Sequence, residues 1–291
     1  NTALGTASLG ANTTGANNTA VGYNALDANT TGGSNTAVGM AALTDNVDGE
    51  ENVAIGRAAL GANTGGSFNI AIGKGAMAAN TTGGYNTAVG RLALDSNTTA
   101  SNNTAIGYAA LGANTGTQNT AVGAYAADAI STGNNNTALG MNALTSGTTC
   151  DYNVAIGFEA LKLATTASDN CALGREALKN NTTSNSNCAF GSNSLFTQTD
   201  GGTKNCGFGN QTLYSNTTGD SNCAMGDSAL YSNTTGTRNI AIGDYAMGVN
   251  TTGQYNVAIG YGALDANTTA SNNTAVGSGA LGANTTGTQN T

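Results

Sequence analysis

Apolar and polar positions along the chain recur on a period of seventeen residues. Asn opens each unit, at Asn1, Asn18, Asn35, Asn52, Asn69, Asn86, Asn103, Asn119 and onward to Asn290. The step is seventeen except from Asn103 to Asn119, which is sixteen, and from Asn187 to Asn205, which is eighteen. An idealised unit runs from Asn18 to Ser34, NTAVGYNALDANTTGGS. With Asn as position 1, position 2 is Thr, Val, Ile or Cys, and position 4 is Val, Ile, Leu, Phe or Met. Position 3 between them is Ala in every unit except at Gly207. This alternation predicts one short β-strand per unit, with positions 2 and 4 on one face and small residues on the other. Positions 2 and 4 are expected to point inward. The opposite strip of Ala and Gly either admits close approach of another chain or lines a tight interior.

Position 5 is Gly throughout, as at Gly22, Gly39, Gly56, Gly73 and Gly90. It predicts a corner whose backbone conformation or close approach excludes a Cβ. Position 9 is Leu in most units, including Leu26, Leu43, Leu60, Leu94 and Leu111, and predicts a third buried column. Positions 6 and 7 vary widely and are expected to face water. Position 12 is usually Asn and leads into Thr-Thr-Gly, which reads as a turn.

A unit this short cannot hold two helices, so the expected fold is all-β: a parallel β-solenoid of about 17 coils of 17 residues. Residues 1–291 then form one continuous array of seventeen coils plus the first two residues of an eighteenth. Because it starts and stops within the repeat without capping units, the array is expected to be a fragment of a longer fibre. Stacking places like residues above like. Asn18, Asn35, Asn52, Asn69, Asn86 and Asn103 should form a structural amide ladder serving buried turn backbone. Cys171, Cys188, Cys206 and Cys223 share position 2 and are expected as an inward column of thiols that behave like valine. Rung-to-rung disulfides there would be strained. Cys150 falls in a turn.

Composition narrows the function. Charged residues make up only 8%, the net charge is −8, and His, Pro and Trp are absent. No Lys/Arg cluster is present to engage a nucleic acid, and no apolar run is long enough for a membrane span. With no His, and with Asp and Glu scattered over variable positions, no catalytic constellation can be assembled. The chain reads as a non-enzyme without cofactor or metal.

The segments Asn52-Val53-Ala54-Ile55-Gly56, Asn69-Ile70-Ala71-Ile72-Gly73, Asn153-Val154-Ala155-Ile156-Gly157 and Asn256-Val257-Ala258-Ile259-Gly260 resemble the repeated strand of trimeric autotransporter adhesin heads. The Asn-Thr-Ala-Val-Gly arrays are also similar to those of bacteriophage tail-fibre proteins. The resemblance implies a left-handed β-roll that self-associates as a homotrimer or filament. It also implies an extracellular location on a cell surface or virion, and a role in attachment to a cell-surface or glycan receptor. On that reading, specificity resides in outward residues such as Tyr23, Arg57, Arg91, Tyr108, Tyr125, Phe158, Tyr245 and Tyr261, or in a tip domain beyond the array. Two alternatives remain. One is an ice-binding solenoid using the turn Thr near position 13, since Thr at position 2 is expected to be buried. The other is a glycosylated surface scaffold using the Asn-Thr-Thr turns at Asn12, Asn29, Asn80, Asn97, Asn181, Asn216, Asn233, Asn250, Asn267 and Asn284.

Overall fold

The computed structural model describes all of residues 1–291 and contains seventeen three-residue strands and no helix. Each repeat supplies one strand, from Thr2–Leu4 in the first to Thr274–Val276 in the last. The fold is a parallel β-solenoid. Two compact units divide the chain, Asn1–Thr149 and Cys150–Thr291. Within each, strands pair in parallel with the next repeat in strict register, Thr19 beside Thr36 and Val21 beside Val38, or Cys171 beside Cys188 and Leu173 beside Phe190.

Coil-to-coil hydrogen bonding continues beyond the strands. In the second coil, Leu26 N donates to Ala42 O at 3.0 Å, Ala28 N to Thr44 O at 3.0 Å and Thr30 N to Val47 O at 3.0 Å. Nearly every face of the coil is therefore bonded to its neighbour, and each coil depends on those above and below.

The interior is narrow. From the second strand to the last, the middle residue is buried and its two neighbours are half-buried or exposed. The inward orientation expected of positions 2 and 4 is thus reversed, and of the two readings of the Ala strip the tight interior is the one found: Ala at position 3 points inward, and positions 2 and 4 point out. The core of a typical coil consists of the residues at positions 1, 3, 8, 9 and 12, as in Asn52, Ala54, Ala59, Leu60 and Asn63, all fully buried. The physical reason is bore size. One Leu and two Asn side chains already fill the coil, leaving room beside the strand for a methyl group but not for Val or Ile. The exception supports this. At Gly207 the missing methyl is replaced by two larger residues at position 8, Ser194 and Thr212, whose hydroxyls lie 2.7 Å apart. A Cβ on Gly207 would fall 2.6 Å from Ser194 Oγ and 2.7 Å from Thr212 Oγ1.

Chain direction is set by left-handed residues. Positions 7 and 9 and the residue directly before the next Asn, which is position 17 in a seventeen-residue coil, adopt positive φ in every coil, between +48° and +63° where the residue is not glycine. The corner at position 5 is more extreme: Gly56 has φ +128°, and a Cβ there would sit 2.8 Å from the carbonyl of Gly73. Only glycine satisfies both conditions.

Candidate interaction face

Because Ala fills the interior, the larger strand residues form an outward ribbon one strand wide. In Asn1–Thr149 it carries Thr19 and Val21, Thr36 and Val38, Val53 and Ile55, Ile70 and Ile72, Thr87 and Val89, Thr104 and Ile106 on successive rungs. In Cys150–Thr291 it carries Val154 and Ile156, Cys171 and Leu173, Cys188 and Phe190, Cys206 and Phe208, Cys223 and Met225, Ile240 and Ile242. No rung places a charge on this surface. Ile55, Ile70, Ile72 and Ile106 remain 37–40% exposed, and Leu173 and Met225 slightly more. Side chains stack along the ribbon, the rings of Phe190 and Phe208 lying 4.9 Å apart and nearly parallel. The position 4 column is apolar on every rung, and an outward apolar column of this kind is the surface feature that marks association.

The four cysteines of position 2 belong to this ribbon and are half-exposed, not inward as the alternation predicted. Their registers are consecutive: Cys171 beside Cys188, Cys188 beside Cys206, and Cys206 beside Cys223. Desolvation, with the neighbouring thiols Cys206 and Cys171 adding repulsion, pushes the Cys188 thiol up to about 12. Cys206 is raised for the same main reason. These are poorly ionised thiols and weak nucleophiles at neutral pH. Cys150 occupies the buried turn position 15, and burial pushes its thiol up to about 11.

Behind the ribbon two amide columns hold the turns. In the position 1 column, Asn35 Nδ2 donates to Gly49 O at 2.8 Å, and its Oδ1 accepts from Asn52 N at 2.9 Å. One amide thus ties its own turn to the next coil. The second column, at position 12, was read from the sequence only as a turn. There Asn46 Nδ2 donates to Asn29 Oδ1 at 2.7 Å and to Gly49 O at 3.0 Å. It runs from Asn12 to Asn97 and breaks at the sixteen-residue coil. Asn114 there bonds instead to Gly116 O and Asn119, and Asn97 Oδ1 is left buried without a partner. In the eighteen-residue coil a longer Gln198 takes the position and accepts from Asn216 Nδ2 at 3.2 Å. The same geometry weighs against a glycan on the Asn-Thr-Thr turns. Asn29, Asn80, Asn233 and Asn250 are fully buried, and each amide nitrogen already donates two hydrogen bonds.

The turn Thr hydroxyls are committed as well, Thr30 Oγ1 donating to Val47 O at 3.1 Å and Thr81 Oγ1 to Thr98 O at 3.0 Å. Of the outward residues proposed for recognition, Tyr23, Tyr108, Tyr125, Phe158, Tyr245 and Tyr261 are exposed. Tyr108 and Tyr125 pack edge to face at 5.1 Å, with the Arg91 guanidinium 5.5 Å from the Tyr108 ring. Tyr245 and Tyr261 line a cleft in Cys150–Thr291. A compact ion network joins Glu159 to Lys162 and Lys179 at 2.6 Å each, and Lys179 to Glu176 at 2.8 Å. Hydrogen bonds from the two lysines hold the Glu159 carboxyl below its usual range. No three His, Cys, Asp or Glu side chains converge as a metal site would require.

No protein-family profile matches the chain, and no curated protein matches it.

Proposed function

We propose that this chain is a non-catalytic fibre segment that associates with further copies of itself through its outward strand ribbon and serves extracellular attachment. The observation that carries the proposal is the ribbon: uncharged on every rung, apolar on every rung at position 4, and turned to the outside of the coil. A second copy is the occupant that fits, because its ribbon repeats at the same inter-strand spacing of about 4.8 Å and can match rung for rung over the length of a unit. An unrelated globular partner has no such periodicity. The strand-motif resemblance to adhesin heads and tail fibres points the same way and supports the extracellular, attachment side of the reading. Co-expression of a tagged and an untagged copy tests it. The untagged chain should co-purify with the tagged one, and the pair Ile55→Lys and Ile72→Lys should reduce that recovery several-fold without altering the circular dichroism spectrum. Equal recovery from the charged variant would remove the ribbon from the account.

One observation favours a second reading. Thr19, Thr36, Thr87 and Thr104, expected to be buried, are on the outward face beside Val and Ile, giving rows of hydroxyls and methyls on a regular sheet. Ordered water or ice could register on such rows. Thermal hysteresis of the purified chain measures this directly, and none is expected if the ribbon is covered by another copy.

A further inference from the structure

Position 10 of the repeat carries a column of side chains that changes character along Cys150–Thr291: Lys162, Lys179, Phe196, Tyr214, Tyr231, Gly248, Asp265. The three aromatic rings form one stack. Phe196 and Tyr214 are 5.2 Å apart with 4° between their planes, and Tyr214 and Tyr231 are 5.1 Å apart with 6°. The Lys179 ammonium lies 5.7 Å from the Phe196 ring centre and closes one end of the stack. At the other end the next rung is Gly248, which has no side chain. The stack therefore stops at Tyr231, and the missing rung is a notch.

The notch is the Gly248 end of a cleft of about 400 Å³ lined by Tyr231, Ser232, Tyr245, Val249, Tyr261 and Asp265. Gly248 is its buried floor, and Gly262 on the next coil removes a further side chain beside it. Tyr231 and Asp265 are two coils apart, about 9.6 Å at the usual strand spacing, which leaves space for one flat ring between them. Asp265 takes part in none of the ion pairs, and its carboxylate is exposed.

We infer that this notch binds a pyranose ring of a neutral glycan. The occupant must present a flat, weakly electropositive face to the π-cloud of Tyr231 and hydrogen-bond donors to the opposite wall. A pyranose does both: its axial C–H bonds cover Tyr231, and its hydroxyls donate to the Asp265 carboxylate with Ser232 within the same cleft. Tyr245 and Tyr261 flank the ring. No Lys or Arg lines the cleft, so a phosphate or sulfate group has no counter-charge there. The inference deepens the attachment reading and rests on it for its use, but its geometry belongs to the notch and not to the ribbon.

Saturation-transfer NMR on the whole chain with methyl β-D-galactopyranoside, methyl α-D-glucopyranoside and cellotriose tests it. At least one probe should receive saturation, strongest at the ring C–H protons that face Tyr231. Gly248→Tyr supplies the missing rung at a position where Tyr214 and Tyr231 already show that a tyrosine fits. It should abolish the signal while thermal unfolding is unchanged or raised. Asp265→Ala should weaken binding at least five-fold. The inference is overturned if no pyranoside binds, if Gly248→Tyr binds undiminished, or if phenol occupies the notch and the sugars do not. Failure of sugar binding with self-association intact would remove the notch and leave the ribbon standing.

Discussion

At the residue scale the fold depends on side chains that tolerate positive φ. Leu60 adopts φ +51° in the core, where a β-branched residue would clash with its own backbone. Replacing Leu60 with Ile keeps the volume and should still destabilise the unit by about 1–3 kcal/mol. Leu60→Met should cost under about 1.5 kcal/mol, since Met77 and Met247 occupy the same position at φ +52°. Denaturant unfolding of the two variants measures the contrast, and equal midpoints would refute the conformational argument. This constraint was legible in the sequence. No Val, Ile or Thr stands at position 7, at position 9 or directly before the Asn of the next coil, although all three abound elsewhere. So, in principle, was the inward face, because position 3 scarcely varies while position 4 ranges from Val to Phe, a spread that a close-packed interior does not accept. Periodicity alone reports that two faces differ and leaves their sense open. Two of the outward thiols, Cys188 and Cys206, carry a pH signature. Burial pushes their ionisation to higher pH than the usual thiol value, so the native chain keeps protons that the unfolded chain loses. The thiol contribution to stability is therefore full below about pH 9 and declines as pH rises towards about 12. Cys171, Cys188, Cys206 and Cys223 replaced together by Val should flatten the loss of melting temperature over that window. An unchanged slope would assign the alkaline loss to other groups.

At the element scale the coil is held by amides as much as by apolar packing. The strand and corner were readable from the Ala of position 3 and the Gly of position 5, and the position 1 ladder from its Asn. The position 12 ladder was not, because Asn before Thr-Thr-Gly has the same signature whether its side chain caps a turn locally or bonds to the neighbouring coil. Ladder continuity gives a quantitative expectation. Inserting one Thr after Thr115 restores the full turn behind Asn114, which already stands seventeen residues after Asn97, and should free its amide from the shortened turn to give the buried Asn97 Oδ1 its missing donor. Stability should rise by about 1 kcal/mol. Conversely Asn52→Ala removes the donor to Gly66 O and the acceptor for Asn69 N, and should cost about 2–4 kcal/mol. Both effects are read from urea midpoints. A neutral insertion would mean that the shortened turn had already relaxed around its orphan.

At the scale of the molecule, register repeats identical chemistry at each rung, so a weak contact between two ribbons is multiplied along a unit. Stacking alone makes the coils cooperative, but it leaves the Val, Ile, Leu, Phe and Met of positions 2 and 4 facing solvent. That exposure is the feature the account explains by association. Sedimentation equilibrium of the purified chain over a wide concentration range is the most direct test. The account predicts a mass that is an integral multiple of the 28.4 kDa chain and that falls towards 28.4 kDa when Ile55 and Ile72 are replaced by Lys. A single 28.4 kDa species at every concentration of the unmodified chain would contradict it.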